Sequence, residues 1–172
     1  GQLANRQGTI EGARLAIRAD NLVNDGGTLR QNGTQALAVS AGQVANATGA
    51  LIGNVAPSGG SNASAVAVVP ATTAGLADGL IAVRGAIDNS GTIAASGAVS
   101  LSAGAGLANA GTLTLNRLDV GGESVQSVRN SGSIAANSAR LAAALLDNRG
   151  GTLLVADKLD IAAHDVANAQ GT

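Results

Sequence analysis

The chain has 172 residues, 45% of them hydrophobic, yet it contains no Phe, Trp, Tyr, Met or Cys. That excludes a disulfide scaffold, a Cys-ligated metal site and an ordinary globular core, which fills its irregular gaps with aromatic rings; the apolar content equally excludes a disordered linker. Ten basic and eleven acidic residues lie scattered for a net charge of −1, which is not the basic field of a nucleic-acid binder, and no run approaches the roughly 18 apolar residues that span a bilayer.

From the first residues onward, short alternating runs follow one another. Leu3-Ala4-Asn5 is succeeded by Gly8-Thr9-Ile10 and then by Leu15-Ala16-Ile17. The same order returns from Leu22-Val23-Asn24, from Val44-Ala45-Asn46 and, after a gap, from Ile87-Asp88-Asn89. It continues at Leu107-Ala108-Asn109, Val128-Arg129-Asn130, Leu146-Asp147-Asn148 and Val166-Ala167-Asn168. Successive Asn residues stand 19, 22, 43, 20, 21, 18 and 20 residues apart. A period near 20 that tolerates small length changes is the mark of a solenoid, whose units pack only on their neighbours.

Period-2 alternation over such short runs means half-buried strands, with every second residue inward. The first run of each repeat is Leu-x-Asn, the second follows the glycine, and the third is Leu-x-Val-like. Members of the third are Leu37-Ala38-Val39, Val99-Ser100-Leu101, Leu118-Asp119-Val120, Leu141-Ala142-Ala143 and Leu159-Asp160-Ile161. Three short strands in each coil of about 20 residues predict an all-β, right-handed parallel β-helix. Some 8 to 9 coils stacked at roughly 4.8 Å would make a rod about 40 Å tall.

Asn5, Asn24, Asn46, Asn89, Asn109, Asn130, Asn148 and Asn168 should occupy one corner of this rod. There they would tolerate the left-handed backbone of a sharp turn and hydrogen-bond along the rod as an amide ladder. Thr9, Thr28, Thr92, Thr112 and Thr152, each just before an inward Ile or Leu, should face out as a hydroxyl column. Between Asn46 and Asn89 the pattern breaks, and 53–79 reads either as an extruded loop or as a degenerate coil. Gly79-Leu80-Ile81 fits the Gly-Thr-Ile run, but Leu80 also stands nine residues before Asn89, where a third strand would begin.

Residues able to do chemistry are sparse. His164 beside Asp165 makes neither a triad nor a metal site, and it is expected in a surface loop. Asp157, Asp160 and Asp165 share a coil with only Lys158 for company, and no calcium-repeat signature is present. The pattern therefore predicts no catalytic, cofactor or metal site. One charge pattern stands out: Arg14, Arg117, Arg140 and Lys158 each precede the first apolar residue of a third run. Arg117, Arg140 and Lys158, in successive coils, should stack as a basic column. Neighbouring aspartates would neutralise it, or the anionic groups of a glycan would.

The Leu-x-Asn-x-x-Gly-Thr-Ile…Leu-x-Val register, clearest over Leu3 to Ile17, Leu107 to Val120 and Leu146 to Ile161, resembles the filamentous haemagglutinin family. These are bacterial two-partner secreted exoproteins that include large adhesins and contact-dependent inhibition toxins. The resemblance covers nearly all of the chain outside 53–79. It implies a secreted or cell-surface shaft, exported through an outer-membrane two-partner secretion transporter, that holds a receptor-binding or toxin region away from the cell. A binding module contacting a host glycan or receptor, through 53–79 or the basic column, is the alternative. The chain opens just before one repeat and stops inside another, which predicts that 1–172 is a single β-helical segment of a longer protein. Uncapped ends on such a segment predict end-to-end self-association.

Overall fold

A computed structural model describes residues 1–33, 36–54, 79–95, 98–121 and 125–172. Within them lie fifteen strands and no helix. The strands are β1 (Gln2–Arg6), β2 (Thr9–Gly12), β3 (Ala16–Asp25), β4 (Thr28–Gln31), β5 (Ala38–Asn46), β6 (Leu51–Gly53), β7 (Gly79–Val83) and β8 (Ala86–Asn89). They continue with β9 (Thr92–Ala94), β10 (Val99–Ala103), β11 (Gly106–Asn109), β12 (Thr112–Val120), β13 (Ser127–Asn130), β14 (Ser133–Asp147) and β15 (Thr152–Ala167).

Parallel pairing joins these strands into three ladders. The first aligns the Leu-x-Asn runs, so that Leu3, Leu22, Val44, Ile87, Leu107, Val128, Leu146 and Val166 are successive partners. The second aligns the runs after the glycine, through Ile10, Leu29, Ile52, Ile93, Leu113, Ile134 and Leu153. The third passes through Ile17, Val39, Ile81, Leu101, Leu118, Ala139 and Leu159. Long strands such as β14 and β15 bend through a corner and serve all three. The result is a β-solenoid of about 7 turns. Its bore is filled by the inward aliphatic residues, with Leu29, Leu101, Leu113 and Leu118 wholly buried. Stacked aliphatics of similar length fill such a bore without aromatics.

Three expectations need correction. First, Asn46 pairs directly with Asn89, and β6 pairs with β9. The 43-residue step thus advances each ladder by one rung. The stack is about 7 turns rather than 8 to 9, or about 34 Å tall. Residues 55–78, which carry most of the proposed excursion, lie outside the described residues.

Second, of the two placements open for Leu80, β7 takes the third strand, but one residue out of step, with Ala38 beside Leu80 and Val39 beside Ile81. Ile81 and Val83 point inward, and Leu80 therefore faces out, 49% exposed. It is not the inward start of its strand. A one-residue offset inverts the face a strand presents.

Third, Leu118 pairs with Leu101, Leu141 with Val120 and Leu159 with Ala139. Leu118 and Leu159 therefore share a row through Ala139, and Leu141 stands two residues beyond it. A two-residue slip preserves the inward–outward alternation, so hydrophobic patterning alone does not distinguish the two registers.

Burial is complete in the middle of the rod but not on the last coil. Leu159, Ile161 and Val166 are 45%, 42% and 60% exposed, although their partners Ala139, Leu141 and Leu146 are buried. Those partners have β15 above them, while β15 itself has no ladder on its far edge among the described residues.

Candidate functional site

The asparagine corner is built by the first ladder. Each Asn sits at the end of a Leu-x-Asn strand with its side chain turned into the rod, and Asn5 through Asn148 are all buried. Nδ2 of each donates to Oδ1 of the next, from Asn5 to Asn24 and onward to Asn168. The seven distances are 2.9, 2.9, 2.8, 2.8, 2.8, 2.7 and 2.8 Å. The second N–H reaches backbone carbonyls of the turn and of the strand that follows it. Asn24 donates to Gly27 and Leu51, both at 3.0 Å, and Asn130 to Thr152 at 2.9 Å. Buried amides must be satisfied, and here the column satisfies itself and the turn beside it, which leaves little for a ligand.

The backbone role expected of these residues falls elsewhere. Among the described residues the left-handed positions are Gln7, Gly26, Gly49, Gly150 and Gln170, all past the Asn in their turns. The corner needs the Asn side chain and not its tolerance of positive φ. The glycine before the hydroxyl column is needed for space. A Cβ on Gly111 would lie 2.0 Å from the Gly91 carbonyl oxygen, and one on Gly132 would lie 2.2 Å from that of Gly111.

Two further polar features escape the repeat motif. Asn137 donates to Asn116 at 2.8 Å, forming one amide rung at the corner between the second and third ladders. Gln31 is buried in the bore above Gly12 and donates to the Ala13 carbonyl at 3.0 Å and to that of Gly33. The Asn spacing 116 to 137 matches the coil length and is the signal for the first. A single Gln carries no such signal.

The basic residues are partly separated. Arg117, Ser138 and Lys158 share one row of the third ladder, and Asp119, Arg140 and Asp160 share the next. Arg140 is therefore displaced from the expected basic column, by the same two-residue slip that displaces Leu141. Asp119 lies 3.5 Å from Arg117 and 3.6 Å from Arg140, while Lys158 has no ion pair among the described residues. Between Arg117 and Lys158 the small side chain of Ser138 leaves a pit of about 170 Å³, bordered by Arg140 and Asp160. Such a pit can receive one anionic group by charge-assisted hydrogen bonds. Arg14 precedes β3 and is remote from this row in the stack.

His164 is exposed within β15 rather than in a loop. Among the described residues no three His, Cys, Asp or Glu side chains cluster as a metal site. A two-pronged ion pair lies at the surface, where Arg149 grips Asp147 through Nε at 2.8 Å and Nη2 at 2.6 Å. Those hydrogen bonds, helped by the Arg149 backbone N–H, hold the Asp147 carboxyl down at about 2. No protein-family model, curated protein or solved structure matches the chain. The resemblance to filamentous haemagglutinins rests on the repeat register alone.

Proposed function

We propose that this chain is a rigid spacer, a shaft segment of a large secreted or surface-borne bacterial exoprotein. It would hold an adhesive or toxic region away from the cell after export through an outer-membrane partner transporter. The observation that carries this reading is the unbroken amide column, whose seven rungs cross every coil at 2.7 to 2.9 Å. A column that also ties each turn to its neighbour resists bending and shear between coils, as a spacer must. The chain lacks Cys, so spin labels at Thr9→Cys and Thr152→Cys report one distance. Six rungs separate these positions, or about 29 Å. A narrow distribution near that value is expected, and a broad one would overturn the spacer reading.

The pit at Ser138 favours a second reading, in which an anionic glycan docks beside Arg117, Arg140 and Lys158. Binding of a sulfated oligosaccharide that weakens in Lys158→Ala and with added salt would support it. Equal binding by that variant would exclude the site.

A further inference from the structure

On the outer surface of the first ladder, Asp88, Ala108 and Arg129 are successive partners on β8, β11 and β13. All three are exposed. Neither charge has a hydrogen bond or ion pair among the described residues. Arg129 stands beside Asp147 in the ladder, but that carboxylate is held by Arg149. Two rungs separate Asp88 from Arg129, about 10 Å, too far for a direct pair. Between them the small side chains of Ala108 and Ala110 leave a shallow trough. The concavity measures about 460 Å³, with Asp88 on one wall and Arg129, Asp147 and Arg149 on the other.

We infer that this face pairs with the same face of a second copy of the chain, side by side and with the rods antiparallel. The two-fold axis runs parallel to β11, over Ala108 and midway between the facing sheets. That rotation reverses the order of the coils while keeping the strand direction. Asp88 then faces the partner's Arg129, and Arg129 faces the partner's Asp88. Ala108 meets its own counterpart, and Asp147 meets Ala45. No like charges of these strands oppose each other. An axis over Asp88 or over Arg129 would set like charges together, and one between Arg129 and Asp147 would leave Asp88 unpartnered, whereas the axis over Ala108 gives both Asp88 and Arg129 an opposite charge. A self-complementary patch of this kind is what an isologous interface requires, and small central side chains permit close approach.

The face is narrow. Four residues by about seven rungs give on the order of 400 Å² per copy, against roughly 800 Å² in a stable complex. The contact is therefore weak for one pair of short rods and gains strength where many rods lie at high local concentration.

Cross-linking suits such a contact. Facing sheets stand about 10 Å apart, beyond the reach of a disulfide, so a bismaleimide of matching length is applied to Ala108→Cys in the otherwise Cys-free chain. Dimers should form about tenfold faster than with Thr112→Cys, which is exposed on another face of the same coil. Adding Asp88→Arg or Arg129→Asp to Ala108→Cys should each remove that advantage, since like charges then oppose across the axis. An equimolar mixture of the two should regain it, because their charges complement. Circular dichroism establishes that both variants fold. Equal rates at positions 108 and 112 would overturn the pairing and leave the trough to a different partner. So would a mixture no faster than either variant alone.

Discussion

The asparagine corner is turned in two ways along the rod. In the middle, Asn89, Asn109 and Asn130 reach Gly91, Gly111 and Gly132 in two steps, without positive φ. Toward both ends, Asn5, Asn24, Asn148 and Asn168 take three steps and pass through Gln7, Gly26, Gly150 or Gln170 in the left-handed region, at φ of 56°, 62°, 72° and 57°. Asn46 takes four, with Gly49 left-handed and Ala50 standing where the other coils have glycine. The amide rungs nevertheless stay between 2.7 and 2.9 Å throughout. Side chains hold the corner, and the backbone between Asn and the next strand is free to vary. Part of the uneven coil length has this origin.

The sharpest way to break this contrast is to add a Cβ. Gly111→Ala collides with backbone at 2.0 Å, and unfolding in urea should show a loss of about 3 kcal/mol or more. Gly150→Ala meets nothing within 4 Å but keeps a φ of +72°, and should lose only about 1 kcal/mol. Equal losses would mean that space does not govern the corner glycine.

Next in size, Asn109→Ala takes the acceptor of the buried Asn89 amide and the donor to the buried Asn130 amide, at about 2 to 3 kcal/mol. Asn168→Ala removes an exposed terminal acceptor, and should change urea stability by about 0.5 kcal/mol or less. A similar cost at Asn109 and at Asn168 would contradict cooperation between rungs.

Substituting Gln7→Gly relieves a left-handed side chain and should raise the thermal midpoint, by a gain of about 0.5 to 1 kcal/mol. The same exchange at a short corner, Ala110→Gly, should lower it.

The smallest effect is an acid one, confined to the long corner at Asn148. The Asp147 carboxyl is held at about 2, below the roughly 3.9 of an unfolded aspartate. Its contribution is complete above pH ~4 and is lost as pH falls through about 2. The stability difference between wild type and Asp147→Asn should therefore be flat at neutral pH and shrink over that window. A constant difference down to pH 2 would remove the Arg149 contact as its cause.

The repeat unit, the inward positions of the first two ladders and the asparagine column are legible in the sequence. Asn and Gly recur there at a separation that varies by only one or two residues. The third ladder is less so, since Leu118, Ala139 and Leu141 satisfy alternation in either of two registers. The choice lies in the corner before them, where Asn116 and Asn137 bond and β12 pairs with β14 at one unbroken offset, while the register shift at Ala136/Ser138 falls between β14 and β15 and sets Lys158 beside Ser138. Arg140 left the basic row for that reason, while Arg117 and Lys158 kept it. The Asp88–Arg129 relation is hidden for another reason. Each lies two residues from an unremarkable neighbour in the chain, and only the stacking of three coils sets them across Ala108.

The donors of the column all point one way. Each amide but Asn168 gives a proton toward the C-terminal side and each but Asn5 receives one from the N-terminal side, so the rod has a sense of direction that its parallel strands alone would not enforce at this corner. A coil joining on the C-terminal side must bring an acceptor, and to carry the column further it must also bring a donor. Aspartate at this position would do the first and not the second. It would act as a stop written in the side chains, ending the column without disturbing the coil on which it rests. The length of such a shaft could then be set by one residue rather than by the loss of the whole repeat.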